Sequence, residues 1–311
     1  MASKLKHILK SQQFSRAWLE EEFFPLSTEM KQAVLNGERR HDLDGKTVSL
    51  LFYEPSTRTR TSFQQAVLKL GGLVVATENA KEFSSAVKGE TMKDTTRIMN
   101  AYHFDAIVIR SDYEGAAEEA ASVSDSPIIN AGDGAGQHPT QSLLDIYTIF
   151  EKFGKIDGLR VAFVGDLKYG RTVRSLSYLL GKFKNITVDL VAPESLQMRE
   201  DILEYYKEHG IKYQKTDNLA DVIDKADVIY MTRAQKERMK EGENADGKGV
   251  VLNKELLKRV KKDAIVMHPL PRSSDINEIP EELTDDPRMM IFKEAENGLF
   301  TRMALLKMVI S

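Results

Sequence analysis

Cysteine is absent from all 311 residues. That excludes disulfides, thiolate metal sites and a cysteine nucleophile, and it fits a reducing compartment. No sign of charge dominates: 44 basic side chains face 47 acidic ones, for a formal net charge of -3. A nucleic-acid partner or an acidic tail is therefore not indicated, and cationic clusters read as local sites. No apolar run approaches membrane-spanning length, and Met1 to His7 lacks a signal-peptide core. No membrane partner and a cytoplasmic location are expected. The Asn185-Ile186-Thr187 triplet matches a glycosylation acceptor, which carries no meaning without secretion. What remains is 41% hydrophobic and 29% charged, the balance of a globular protein with length for two ordinary domains.

Strand-like and helix-like segments alternate, the pattern of an α/β protein. In the first half, residues 47–53, 73–77, 105–110 and 127–130 read as strands and 60–70, 90–101 and 114–124 as helices. In the second half, 160–164, 186–191, 227–231 and 264–267 repeat the strand pattern. Two similar α/β domains follow, each a mainly parallel sheet flanked by helices. Apolar residues at 143, 144 and 147, ahead of Gly154, predict a connecting helix over 142–150. The domain junction is placed there, giving domains of 1–139 and 140–294. Leu299, Met303, Leu306 and Ile310 recur at helical spacing, so a last helix over 295–311 needs a partner surface and packs back on the first domain. Residues 235–250, rich in Lys, Glu and Gly, read as a mobile loop.

Several loops carry chemistry. Pro55-Ser56-Thr57-Arg58-Thr59-Arg60 crowds hydroxyls and guanidinium groups between a strand and a helix. Unpaired backbone N–H groups there favour an anion, with Ser56 or Thr57 able to cap and Arg58 to grip phosphate; the alternative is a capped helix with two solvated arginines. Lys88 sits beside Gly89 in a polar loop, where a solvated lysine is the plain reading. Asn130 to Gln141 follows a strand and is rich in glycine, without the dinucleotide spacing. His138 within it either donates to a reacting carbonyl or fastens the loop. Gly165 through Gly170 to Thr172 nearly matches a P-loop, but Arg171 stands where the lysine belongs. That leaves a helix start with a forked cation suited to a carboxylate. Arg233 to Arg238 and His268-Pro269-Leu270-Pro271-Arg272 also follow strands. In the latter, two prolines remove backbone donors and leave carbonyls for an amide-type NH₂, unless the segment is an ordinary proline turn.

Taken in order, Ser56-Thr57-Arg58-Thr59-Arg60, Lys88-Gly89-Glu90, His138-Pro139-Thr140-Gln141, Gly165 to Arg171, Arg233 to Arg238 and His268 to Arg272 closely resemble the catalytic chains of the aspartate carbamoyltransferase family. The resemblance spans nearly the whole sequence. Ornithine carbamoyltransferases share the first motif and a His-Pro-x-Gln signature, but typically carry a cysteine in the loop that here reads His268 to Pro271. The charge logic agrees, since Arg171 and Arg233 suit two carboxylates and not a cationic side chain.

The resemblance implies transfer of the carbamoyl group of carbamoyl phosphate to L-aspartate, giving N-carbamoyl-L-aspartate and phosphate, an early step of pyrimidine synthesis. It implies an active site in the interdomain cleft, a carbamoyl phosphate-binding first domain and an aspartate-binding second domain. By the same analogy Ser56, Thr57, Arg58, Thr59 and Arg110 bind phosphate. Thr59, Arg110 and His138 direct donors at the carbamoyl oxygen, and Gln141 with the carbonyls of Pro269 and Leu270 holds the carbamoyl NH₂. Arg171, Arg233 and Gln235 hold aspartate. Ser84 and Lys88 reach a neighbouring subunit's site, which implies a homotrimer, with a regulatory chain as a further candidate partner. No metal or organic cofactor is expected, and the departing phosphate is the expected proton acceptor. Glu54 and Glu90 are candidates to tether Arg110, Arg58 or one another's loops. Two departures stand out. Val87 replaces a basic residue common in the family, and Ser273-Ser274-Asp275-Ile276-Asn277-Glu278-Ile279 replaces the familiar Val-Asp-Glu-Ile run, with altered spacing.

Overall fold

The computed structural model describes residues 5–83, 89–235 and 250–310. The chain divides into two compact units, Met1–Tyr147 with Glu296–Ser311, and Thr148–Ala295. Both are α/β, as the alternation predicts.

The first unit holds β1 (Thr47–Phe52), β2 (Leu73–Glu78), β3 (Ala106–Ser111) and β4 (Ile128–Asp133) in the order β2-β1-β3-β4. Every pair is parallel, with Leu50 opposite Val108 and Val108 opposite Ile129. The crossovers are α2 (Thr57–Lys69), then α3 (Ala80–Phe83) with α4 (Met92–Ala101), then α5 (Ala116–Ala121). Parallel strands covered on both faces read as unbroken apolar runs. That is why β1 and β3 are legible as strands: Val48, Leu50, Phe52, Ala106, Ile107 and Val108 are fully buried. Ala116, Ala117 and Ala120 bring α5 close to Ile107, Ile109 and Ile128. Phe63 on α2 is fully buried, and a side chain of that size contributes about 1.5–3 kcal/mol relative to exposure.

Helix α2 begins at Thr57, three residues earlier than the spacing predicts, and β4 runs to Asp133. The region before β1, unassigned from sequence, forms a π-helical turn over Trp18–Phe23 and α1 over Phe24–Leu35. Stacked rings of Phe14, Trp18 and Phe23 anchor it.

The second unit holds β5 (Arg160–Val164), β6 (Thr187–Val191), β7 (Lys212–Thr216), β8 (Val228–Met231) and β9 (Ile265–Met267), ordered β7-β6-β5-β8-β9 and again all parallel. Helices α7 (Arg171–Leu180), α8 (Glu200–Glu208) and α9 (Lys254–Arg259) lie between them in sequence. The strand pattern missed β7. Its residues Lys-Tyr-Gln-Lys-Thr are polar because it is a half-exposed edge paired only with β6.

The chain leaves the first unit inside α6 (Pro139–Phe153) and returns to it inside α10 (Ile291–Ile310). In the returning segment Phe300, Met303, Ala304 and Leu306 are buried.

Each sheet has one gap where the winding reverses, between β1 and β3 and between β5 and β8. Open parallel sheets place ligands outside the carboxyl ends of the strands at such gaps.

Candidate functional site

At the β1–β3 gap, β1 runs through Glu54 and Pro55 into α2, and β3 ends on Arg110 and Ser111. Ser56 is the N-cap residue of α2, with extended backbone (φ -159°, ψ 96°), but its hydroxyl makes no capping bond. Of the two hydroxyls able to cap, that of Ser56 does not occupy the backbone donors of the first turn of α2, where an anion is favoured. Thr59 is buried while Thr57 and Arg58 are exposed. Arg60 is different in kind, because it turns to Glu78 at the end of β2 at 2.7 Å. Of the two arginines in this motif, one is thus tied into the scaffold and Arg58 stays with the helix start.

Arg110 is buried at the end of β3, with Nη1 donating to the Ala131 carbonyl at 3.2 Å and Nε 3.4 Å from Glu54 Oε2. Of the two carboxylates expected as tethers, Glu54 serves Arg110. Glu90 instead accepts from Thr95 Oγ1 at 2.6 Å.

The glycine-rich loop after β4 is organised by Asp133, whose carboxylate accepts from the Gln137 N–H at 2.7 Å and the Gly115 N–H at 3.0 Å. Gly134, at φ +44°, leaves no room for a side chain: a Cβ there would meet the Asp112 carbonyl oxygen at 2.9 Å. The loop delivers His138 buried at the start of α6. One turn on, Gln141 Nε2 donates to Asp145 Oδ1 at 2.8 Å, both buried. Because the amide NH₂ must face the carboxylate, the amide oxygen, an acceptor, is turned the other way. Arg302 of α10 is fully buried, stacks over Phe63 at 5.1 Å, and is lowered to about 10 by burial against the opposing charge of Asp145. The (i, i+4) spacing of Gln141 and Asp145 is a sequence signal that the motif reading passed over. Arg302 leaves none, since nothing local marks it.

At the β5–β8 gap the backbones approach closely. Gly165 (φ +111°) lies so near β8 that a Cβ would meet the Thr232 carbonyl oxygen at 2.2 Å. Buried Asp166 then accepts from the Tyr169 N–H at 2.9 Å with one oxygen and from the Gln235 N–H at 2.8 Å with the other. One carboxylate thus pins both loops, the one leading to Arg171 and the one carrying Arg233 and Gln235. Arg171 is the first residue of α7 and is buried; Arg233 is partly exposed, with Nη1 on the Ala234 carbonyl at 3.0 Å. Sequence reasoning named the arginines and passed over the carboxylate that holds them in one place.

After β9, His268 is buried and Pro269 and Leu270 follow, with Leu270 at φ +55° and a cis Leu270–Pro271 bond. Arg272 serves the loop itself, bonding the Ile279 carbonyl and the Thr284 hydroxyl and pairing with Glu281.

The first unit therefore gathers Ser56, Thr57, Arg58, Thr59, Arg110, His138 and Gln141 at the carboxyl ends of its strands. The second gathers Arg171, Arg233, Gln235, Pro269 and Leu270 at its own. Ser84, Val87 and Lys88, and residues 236–249 including Arg238, lie outside the described residues. Among the described residues no group of three or more His, Asp or Glu could hold a metal ion, and no helix is long and apolar enough to cross a membrane.

Two family models match the chain in series. Residues 6–151 match the aspartate/ornithine carbamoyltransferase carbamoyl-P binding domain, and residues 157–309 match the Asp/Orn binding domain of the same family. The chain is 48% identical over 311 residues to the chloroplastic aspartate carbamoyltransferase of Arabidopsis thaliana, covering 99% of this chain and 78% of that one. It is 44% identical over 315 residues to the aspartate carbamoyltransferase catalytic subunit of Aliivibrio fischeri strain MJ11, covering 100% and 99%. The crystal structure of Trypanosoma cruzi aspartate transcarbamoylase in complex with carbamoyl phosphate and aspartate is similar with a TM-score of 0.91, at 40% identity over 98% of this chain and 97% of that one.

Proposed function

The chain belongs to the aspartate/ornithine carbamoyltransferase family, and from that premise we infer that it transfers the carbamoyl group of carbamoyl phosphate to L-aspartate. The products are N-carbamoyl-L-aspartate and phosphate, and the reaction serves de novo pyrimidine biosynthesis. One observation carries the choice of acceptor: Arg171 and Arg233 stand on two loops that Asp166 pins together. Two guanidinium groups suit a dicarboxylate and repel the ammonium tail of ornithine.

In this reading Ser56, Thr57, Arg58 and Thr59 at the start of α2 seat the phosphate, with Arg110, Ser84 and Lys88 completing the shell. Thr59, Arg110 and His138 direct donors at the carbamoyl oxygen, which gains negative charge as the amine attacks, and such fixed donors lower the barrier. Gln141 and the carbonyls of Pro269 and Leu270 hold the carbamoyl NH₂. Arg171, Arg233, Gln235 and Lys88 hold aspartate. The remaining acceleration comes from juxtaposing two anions that would otherwise repel. No side chain is assigned as base; the departing phosphate accepts the proton. On this reading the acidic limb of the pH profile, where a side-chain base would be protonated, survives His138→Ala while kcat falls, and loss of that limb would reassign the base to His138.

The reading extends to a homotrimer in which Ser84 and Lys88 complete a neighbour's site. The edge strand β2 supports association, since it exposes Leu73 (62%) and Val75 (53%), and an apolar open edge is a template for a second chain. Mixing Lys88→Ala with Arg58→Ala under subunit exchange should restore part of the activity, because hybrids contain intact shared sites. No recovery would show that each site is built from one chain. A cytoplasmic location and a separate regulatory chain belong to the same proposal. Cell fractionation and the composition of the natively purified assembly test them.

The deciding assay is phosphate release from carbamoyl phosphate with L-aspartate, with L-ornithine and with no acceptor. Aspartate-dependent release with carbamoyl-aspartate as product is the expected result. Ornithine-dependent release, or none, would overturn the assignment.

A further inference from the structure

Residues 273–279, one of the two segments that depart from the family pattern, form a closed turn. The Ser273 carbonyl accepts from the Asn277 N–H at 3.1 Å, and the Ser273 hydroxyl accepts from the N–H groups of Asp275 and Ile276 at 3.2 and 3.3 Å. Asn277, at φ +52°, closes the turn and returns Glu278 to the end of β9. There Glu278 Oε1 lies 2.9 Å from His268 Nε2, with the two side chains 2% and 1% exposed. The other ring nitrogen, Nδ1, accepts from the Leu270 N–H at 2.8 Å, and the His268 N–H donates to Glu294 at 2.8 Å.

These contacts fix the ring's protons. A backbone N–H can only donate, so Nδ1 carries a lone pair, Nε2 carries the hydrogen, and that hydrogen is given to Glu278. The imidazole is neutral and the carboxylate is its acceptor. Burial alone would raise the Glu278 carboxyl, but the bonds from His268 and from the Glu278 and Ser273 backbone hold it below the ordinary carboxylate range.

The same contacts set the backbone of the loop. Pro269 and Pro271 have no N–H, so Leu270 supplies the one backbone donor across 269–271, and His268 takes it. Leu270 is left-handed at φ +55°, a conformation that costs a side-chain-bearing residue about 1–2 kcal/mol. A buried hydrogen bond to a fixed acceptor is of that size. The Leu270 N–H and the Pro269 carbonyl share one planar peptide, so the imidazole fixes that carbonyl directly and the Leu270 carbonyl through the left-handed backbone the bond holds.

We propose that Glu278, His268 and the Leu270 N–H form a positioning relay that aims the Pro269 and Leu270 carbonyls at the carbamoyl NH₂. The inference rests on the carbamoyl-transfer reading above. His268 and Glu278 are positioning residues, since neither touches substrate. The turn over 273–277 brings Glu278 to this buried position beside His268.

The test separates the two ring nitrogens in the full-length chain. His268→Asn keeps an acceptor for the N–H two residues on, as an Asx turn does; it gives up Glu278, whose part in the relay is to orient the imidazole and which a short amide held in its own turn does not need. His268→Gln keeps a group for Glu278 and gives up the Leu270 N–H. With aspartate and carbamoyl phosphate, kcat of H268Q should fall about 30-fold or more, as for loss of a buried partner, while H268N stays within about fivefold of wild type. The Kd for inorganic phosphate, which reads the seat on α2, should be unchanged in both. Equal kcat in H268Q and H268N, whether both intact or both depressed, overturns the relay. So does a loss of phosphate affinity that matches the loss of kcat. Should H268Q fail to fold, H268N decides alone, and a drop beyond about tenfold overturns the proposal. If wild type itself does not carbamoylate aspartate, the functional reading fails and takes this inference with it. An active wild type with indistinguishable variants removes only the relay.

Discussion

The two sheets share one design, parallel strands that reverse their winding at a single gap, yet the two gaps are furnished differently. At β1–β3 the groups are the open first turn of α2, small hydroxyls, and Arg110 held in place by Glu54 and the Ala131 carbonyl. At β5–β8 they are side-chain cations, Arg171 and Arg233, on loops that have no shared backbone but share one carboxylate, Asp166. Backbone donors and hydroxyls surround a compact tetrahedral anion from many directions. Forked guanidiniums meet planar carboxylates two at a time. In the proposed mechanism a common topology places both seats, and the chemistry of the residues at each gap selects the anion.

If Asp166 joins the two loops of the second seat, its removal should break that seat alone. Asp166→Ala leaves two backbone N–H groups without their charged acceptor, each bond of that kind contributing about 1.5–3 kcal/mol, so kcat/KM for aspartate should fall about 10³-fold. Phosphate affinity should hold, and steady-state kinetics beside phosphate titration would show the split. A smaller change would come from Asp145→Asn, which sharpens the comparison within the first unit. With an amide in place of the carboxylate, Gln141 no longer has a reason to turn its NH₂ inward, and kcat should drop about tenfold with phosphate affinity unaltered. An unchanged kcat would remove Gln141 from the carbamoyl seat.

The smallest effect concerns how the returning helix is fastened to the first unit. Asp42 is held at about 2 chiefly by Arg40, against burial that raises it, with Lys307 of α10 adding to the lowering. A carboxyl depressed in the fold stabilises it fully above its unfolded value of 3.8 and loses that contribution as pH falls toward 2. Because Arg40 and Lys307 are partly in solvent, Asp42→Asn should cost only about 1 kcal/mol at neutral pH. Its melting temperature should also vary less than that of wild type between pH 4 and pH 2. A variant that follows the wild-type acid profile would show that other carboxylates set it.

How much of this was legible in the sequence depended on burial. β1, β3, β5 and β8 announced themselves because strands covered on both faces are apolar along most of their length. β7 did not, because an edge strand of Lys, Tyr, Gln and Thr has no reason to alternate strongly. That the hydroxyl-rich motif opens a helix was legible, but the boundary at Thr57 was not, since exposed Thr57 and Arg58 carry no apolar period. The residues that meet substrate in the proposed mechanism stood in recognisable loops. Of those that hold them, Asp145 carried a local signal in its spacing from Gln141, whereas Asp133, Asp166 and Glu278 were hidden because their partners lie in distant segments or are backbone groups, which no local pattern records.

The central claim is that each unit seats a different anion, and titrating inorganic phosphate into wild type, Arg58→Ala and Arg171→Ala tests it most directly. Arg58→Ala should weaken phosphate about 10- to 100-fold, the loss of charge-assisted bonds to one guanidinium. Arg171→Ala should leave phosphate within about threefold of wild type while raising the KM for aspartate by a similar 10- to 100-fold. Equal loss of phosphate affinity in the two variants would contradict the division of labour between the units.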